Sequence, residues 1–207
     1  MSPTETRPAI AFQGEPGAYS HQACHEARPD HRALPCPTFE DAIEAVRAGR
    51  ADLAMLPVEN TTYGRVADIH HLLPESGLHI TGEAFVRVHI NLLGAPGARL
   101  EDVKAAQSHT VLLGQCREFL RARGIRPEIA ADTAGSARQV AEARDPALAA
   151  LASDLAGEVY GLEPLARHIE DQSTNTTRFL IMAPQPDYTR RGEAGMMTTF
   201  VFRVRNI

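Results

Sequence analysis

Residues 171–179 read Asp-Gln-Ser-Thr-Asn-Thr-Thr-Arg-Phe and run directly into the apolar Leu180, Ile181 and Met182. The run gathers hydroxyls, carboxamides and one guanidinium at the entrance to a buried strand, a common way to hold a small anion on a rigid element. Thr177 supplies a hydrogen-bond donor without a charge, and its neighbour Arg178 supplies a planar fork that fits a carboxylate. The same residues also read as a solvated loop entering a strand with an exposed arginine, and short runs of this kind are weak evidence alone.

Other polar clusters follow apolar runs elsewhere in the chain. Gly14-Glu15-Pro16-Gly17 makes a tight turn before a helix for which Ser20 is a good N-cap, and such a turn can present backbone N–H groups to an anion. Its spacing is not a dinucleotide fingerprint, and taken alone a plain strand-to-helix turn explains it better. Glu59, Asn60 and Thr61 follow Pro57; Asn60 offers both donor and acceptor, and Thr61 suits the cap of the next helix, or the three form a structural turn. Ser108, His109 and Thr110 precede an apolar helix carrying Gln115 and Cys116, and Asp132 and Thr133 open another. Ser108 reads either as a helix cap or as a ligand contact through the same hydroxyl. A hydrolase triad does not fit, because adjacent Ser and His rarely meet and no nucleophile elbow is present. His21 and His25 have the i,i+4 spacing of metal ligands, but without a third ligand no metal site is expected.

Strands alternating with helices must position these clusters. Strands are expected at 9–12, 51–56, 105–107, 127–130, 148–152 and 180–183, with an extended stretch over 78–93 in two pieces. Helices are expected at 20–27, 39–48, 66–73, 112–123, 133–143 and 155–160. This order indicates an α/β fold with mainly parallel sheets, which place ligand sites outside the carboxyl ends of their strands. The polar clusters fall at those ends.

The chain has 207 residues, 43% hydrophobic and 23% charged, and can bury one substantial core or two smaller lobes. A formal charge of −5 argues against nucleic acid or a membrane surface as partner, both being polyanionic. No apolar run approaches the ~20 residues needed to span a bilayer, and the polar start has no signal-peptide character. Cys24, Cys36 and Cys116 read as reduced thiols in a cytoplasmic protein.

Taken in order, these segments resemble the prephenate dehydratase family over nearly the whole chain. Residues 14–20 look like its opening Gly-Pro-x-Gly-Thr-Phe-Ser, with Glu15 and Pro16 interchanged. Pro57, Glu59, Asn60 and Thr61 match its Pro-x-Glu-Asn-Ser, with threonine where serine is usual. Ser108-His109 with Gln115-Cys116 matches Ser-His-Pro-Gln-Ala-Leu-x-Gln-Cys, lacking the proline and first glutamine. The most specific match runs from Tyr160 through Leu162, Leu165 and Asp171 to Thr177-Arg178-Phe179-Leu180 and Met182, the family's Thr-Arg-Phe signature.

The resemblance implies a lyase that converts prephenate to phenylpyruvate in phenylalanine biosynthesis, without a cofactor because aromatisation drives the loss of carbon dioxide and hydroxide. It implies a two-lobed, periplasmic-binding-protein-like α/β fold with a cleft between lobes. Residues 8–84 with 179–188 would form one lobe and 85–178 the other, with crossings at 78–93 and 175–183. Thr177 would donate a hydrogen bond to the departing hydroxyl. Glu59 would be the proton source if burial raised its pKa, and Arg178 would hold the pyruvyl carboxylate unless it pairs with Asp171 or Glu170. Asn60, Thr61, Ser20, Ser108, Gln115 and Thr133 would contact the substrate. Phe200, Phe202 and Val204 alternate over 198–204, so residues 189–207 read as a linker and the first strand of a truncated regulatory module of the ACT type, or residues 190–207 are a tail. Feedback inhibition is therefore not carried over. A homo-oligomer is compatible with this reading. Arogenate dehydratase, or a small-molecule sensor without catalysis, fits the same residues.

Overall fold

The computed structural model describes residues 7–189 and 192–197; the alternating segment 198–204 lies outside them. Short apolar runs form the inner strands and amphipathic runs the helices. β1 (Ala9–Gln13) is followed by α1 (Tyr19–Ala27), β2 (Arg32–Cys36), α2 (Phe39–Arg47), β3 (Leu53–Asn60), β4 (Gly64–Arg65) and α3 (Ala67–Leu72). Two strands follow, β5 (His79–Arg87) and β6 (Asn91–Gly94). Next come β7 (Ala105–Ser108), α4 (Thr110–Gln115), α5 (Arg117–Arg123), β8 (Arg126–Ile129) and α6 (Thr133–Ala143). The series ends with β9 (Leu148–Ala152), α7 (Asp154–Tyr160), β10 (Glu163–Ala166) and β11 (Thr176–Ala183). The described residues divide into two units, one of residues 7–13, 23–86, 177–189 and 192–197, the other of residues 14–22 and 87–176.

In the first unit the strand order is β2-β1-β3-β11-β5, with β4 beside β3. β1 pairs parallel with β2 and β3, as the intervening helices require, whereas β11 joins β3 antiparallel. One face of the sheet packs Ala54, Leu56, Leu180 and Met182 against Ile43 and Val46 of α2 and Ile69 of α3. The other packs Ile10, Phe12, Met55, Phe179 and Ile181 against Ala23 and Cys24 of α1. Each large side chain buried this way contributes roughly 1.5–3 kcal/mol.

In the second unit the order is β10-β6-β9-β7-β8. The β7, β8 and β9 pairings are parallel, and β6 is antiparallel to β9 and β10. Helices α4 and α5 supply Leu112, Leu113 and Leu120 to one core, and α6 and α7 supply Ala137, Val140 and Ala156 to another. Each unit is thus a sheet covered by helices on both faces, the α/β class expected. Its parallel part is a trio of strands that antiparallel strands extend.

Four local expectations are corrected. β2 and β10 escape the apolar pattern because each is an edge strand carrying a proline, Pro35 and Pro164. β3 does not stop at Pro57 but continues to Asn60; Pro57 lies beyond the stretch paired with β1, beside a register shift that leaves Val58 unmatched against β11. The helix expected over 112–123 is broken at Cys116. The Gln115 carbonyl accepts from the N–H of Asp171 at 2.6 Å, and the Asp171 carboxylate in turn accepts from the N–H of Glu118 at 3.3 Å. Asp171 therefore ends α4 and opens α5. Ser20 lies inside the first turn of α1, whose first bond runs from the N–H of Gln22 to the carbonyl of Ala18, so Ser20 is not the cap.

The turn before α1 is fixed from within its own unit. Ser153 caps α7 by accepting from the N–H of Ala156 and donates its hydroxyl to the carbonyl of Gly17 at 2.7 Å. Glu15 is gripped through both oxygens by Arg138, at 3.0 and 3.2 Å, and that guanidinium lowers the Glu15 pKa. Gly17 has φ +90°, and a Cβ there would lie 2.8 Å from the Ala156 Cα. Gly17→Ala should therefore destabilise the protein by on the order of 2–4 kcal/mol. Gly49→Ala, also at positive φ but with open space around it, should cost only about 1 kcal/mol; urea unfolding of both variants measures the difference.

Glu170 ties the start of β6 to the segment before β11. Its side chain is 5% exposed, with one oxygen 3.0 Å from Nδ1 of His89 and the other accepting from the N–H of Ile90 at 2.9 Å. Burial pushes its pKa up, but the Ile90 N–H and the His89 ring outweigh burial and hold it below the ordinary value. A lowered folded pKa means the stabilisation is complete above about pH 4.5 and is lost as pH falls through the folded value. Glu170→Gln should lose less stability than the parent between pH 5 and pH 3, as read by denaturant melts at each pH.

Candidate active site

The register of β11 against β3 places Thr177 opposite Asn60 and Arg178 opposite Glu59. Residues far apart in sequence are therefore cross-strand neighbours, and the Thr177 hydroxyl accepts a hydrogen bond from the Asn60 Nδ2 at 2.9 Å. The orientation of Asn60 is set by its other end. Its Oδ1 accepts from the N–H groups of Thr62 at 2.9 Å and Tyr63 at 3.0 Å, closing the turn between β3 and β4. With the carbonyl end used by the turn, the NH₂ end faces Thr177. Thr177 therefore accepts from Asn60 and keeps its own O–H free, with no acceptor in hydrogen-bonding range among the described residues. A half-buried hydroxyl held this way is a fixed, uncharged donor.

Arg178 faces the other way, since successive side chains on a strand point to opposite faces. Its Nε donates to Glu83 of β5 at 2.8 Å, and its NH1 donates to Glu59 of β3 at 3.4 Å. The guanidinium thus clasps the two strands flanking β11, and two carboxylates already face its fork. Its partners are not Asp171, which sits at the α4–α5 break, nor Glu170, which pairs with His89. Glu59 is 57% exposed at its side chain, so the burial that a proton source at this position would need is absent. Thr61 is exposed in the turn and does not cap a helix: α3 opens from Val66, five residues beyond Thr61 and past the short strand β4.

The remaining residues lie in the second unit. Ser108 is fully buried and donates its hydroxyl to the carbonyl of Leu151 at 2.8 Å. It is not the cap of α4; that is His109, whose Nδ1 accepts from the N–H of Val111 at 3.3 Å. Thr133 is the first residue of α6 and half-buried, behind the capping carboxylate of Asp132, which accepts from the N–H of Gly135 at 2.6 Å. Ser20 is half-buried on the first turn of α1.

Gln115 is held by a residue that sequence reasoning missed. Asn175, only 3% exposed, donates from Nδ2 to Gln115 Oε1 at 3.0 Å. The donor end of the Gln115 carboxamide is consequently turned away from Asn175, and Nε2 is buried with no acceptor among the described residues. Buried polar atoms in native proteins nearly always have a partner, protein or water, so this donor, like the buried Asn91 Nδ2, has room to give a hydrogen bond to a water or a bound molecule. The signal in sequence was the position of Asn175 within the polar run before Thr177. The Nδ1 of His21 accepts from the N–H of Gly17 at 3.0 Å, and among the described residues no group of three or more His, Cys, Asp and Glu side chains lies close enough together to hold an ion.

Residues 10–187 match the prephenate dehydratase family. A bifunctional N-acyl-homoserine lactone acylase/prephenate dehydratase of Komagataeibacter europaeus is 50% identical over 95% of this chain and 70% of its own length. Arogenate dehydratase/prephenate dehydratase 2 of Arabidopsis thaliana, a chloroplastic protein, is 40% identical over 87% of this chain and 48% of its own. The solved structure of prephenate dehydratase from Arthrobacter aurescens in complex with L-Phe superposes with a TM-score of 0.77 at 30% identity, covering 84% of this chain and 60% of that one. The chain spans about half the length of the plant relatives. With a family match over most of its length, this chain belongs to the prephenate dehydratase family.

Proposed function

We propose that this chain catalyses the decarboxylating dehydration of prephenate to phenylpyruvate. The observation that carries this reading is the Asn60–Thr177 hydrogen bond, which fixes a hydroxyl with its proton available in the segment that bears the family's Thr-Arg-Phe signature. In the reaction the bond from the ring to its carboxylate breaks, its electrons enter the ring, and the C–O bond opposite releases hydroxide. Carbon dioxide, water and phenylpyruvate result, with one proton taken up. The proposed role of Thr177 is to donate a hydrogen bond to the departing oxygen and so stabilise the charge developing there. Its alcohol is too weak an acid to yield the proton outright, so the proton is drawn ultimately from solvent. Asn60 acts through Thr177, as the residue that orients it.

Arg178 and Glu59 take a different part from the one the resemblance implied. Their ion pair, with Glu83, links β3, β11 and β5 at the polar end of a register that packing on both faces already sets. Among the substrate contacts proposed in the second unit, Gln115 has the most support, its donor being buried and unmatched. Ser20 and Thr133 keep side chains available, whereas the hydroxyl of Ser108 supports the end of β7. Free, buried cysteines at 24, 36 and 116 agree with a reducing, cytoplasmic setting.

Two other readings have specific support. The plant relatives' names favour arogenate, the amino analogue of prephenate, as substrate. The 50% identical relative favours a second activity, cleavage of the amide of N-acyl-homoserine lactones. Incubation of the purified chain with each compound, following phenylpyruvate, phenylalanine or released homoserine lactone, decides among them. Binding of prephenate without product above the uncatalysed rate would make the protein a sensor and overturn the enzyme reading.

Thr177→Ala should lower kcat for prephenate about 10²–10⁴-fold with little change in thermal stability, while Thr177→Ser keeps part of the activity. Unchanged turnover in Thr177→Ala removes the residue from the mechanism. Asn60→Ala should lower kcat through loss of orientation. Asn60→Asp should not restore it, because a carboxylate has no hydrogen to donate to the Thr177 oxygen.

A further inference from the structure

Helices α4 and α5, broken by Asp171, lie over the edge strand β8 and leave a groove of about 540 Å³. Leu113, Leu120 and Ile125 form its floor and are buried. Pro127 and Ile129 of β8 form one wall, and Ile129 is 77% exposed, unusual for so large an apolar side chain. Arg117 and Arg121 stand on the opposite wall. Gln115 does not line the groove, so the groove is separate from the donor described above.

The two arginines are the informative feature. At i,i+4 on one helix they are neighbours, and like charges at that spacing repel. Among the described residues neither guanidinium has a carboxylate within ion-pair distance. Other arginines close by in sequence are engaged: Arg123 lies over the ring of Phe119, and Arg126 pairs with Glu128 at 2.6 Å. Two unmatched cations beside an apolar floor complement a molecule with one anionic end and an apolar body. A carboxylate between them would accept hydrogen bonds from both forks and relieve their repulsion. The size of the groove falls in the range of small-molecule sites. Addition of a partner strand is disfavoured, because Pro127 removes a donor from the outer edge of β8.

We infer that this groove binds a small amphipathic carboxylate, with an apolar body the size of a medium acyl chain, its anionic end held by Arg117 and Arg121. The inference does not depend on the reaction proposed above.

The experiment titrates octanoate into the purified chain and follows methyl resonances of Leu113, Leu120, Ile125 and Ile129, with 1-octanol and acetate as controls. Saturable shifts confined to those methyls are expected with octanoate, together with binding at least about tenfold weaker for either control. R117Q/R121Q, at two exposed positions, should keep its melting temperature and lose octanoate affinity about tenfold or more. Ile129→Asp should also weaken octanoate binding and leave sedimentation unchanged. The proposal is overturned by shifts that do not saturate, by acetate or octanol binding as tightly, or by unaltered affinity in R117Q/R121Q. It is equally overturned if the chain sediments as a dimer that Ile129→Asp dissociates, since the groove would then be the seat of a second copy.

Discussion

The antiparallel register between β3 and β11 is the constraint on which the candidate site rests. Pairing Thr177 with Asn60 and Arg178 with Glu59 joins the two segments that carry the family's most specific motifs. A slip of one residue would turn Phe179 and Ile181 out of one core and Leu180 and Met182 out of the other, so burial on both faces sets the register. The Arg178 clasp to Glu59 and Glu83 adds little free energy of its own at a partly exposed position. Its contribution is geometric, since it links β3, β11 and β5 just where the apolar side chains give way to polar ones. The threonine therefore sits at the polar end of a strand whose rest is fixed by packing.

In the second unit, residues 168–175 have a comparable office. Asp171 splits a helix, Glu170 anchors the start of β6, and Asn175 turns Gln115. Three polar residues in a single coil segment thus set the backbone and side-chain positions of two helices and a strand. Because each is a hydrogen bond to a buried or helix-terminal group, loss of one partner leaves the other unsatisfied, which costs more than the bond itself contributes.

Much of this was legible in the sequence. Ala9-Ile10-Ala11-Phe12 and Leu148 through Ala152 announce inner strands because a continuous apolar run bounded by turn residues has few alternatives. The strand ends carrying Glu59, Asn60 and Ser108, and the helix start at Thr133 beyond β8, could be found for the same reason. What was not legible depended on partners distant in the chain. Nothing local marks Glu83 as the partner of Arg178, or Asn175 as the partner of Gln115, since those pairs are formed by folding. Thr176, Thr177 and Arg178 looked like a loop because a strand's polar end has the composition of a turn. The break at Cys116 was hidden because its cause, Asp171, lies outside the helix it interrupts.

The place of β11 in the first sheet has a consequence for how the protein is made. That strand lies between β3 and β5 but is encoded after every residue of the second unit. As the chain leaves the ribosome, the second unit has all of its residues before the first unit receives β11, one of its inner strands. Until then β3 and β5 present unpaired edges and the apolar faces that Phe179 through Met182 will cover. The order of synthesis thus completes the first unit after the second, and leaves the first unit longer exposed to mispairing during translation.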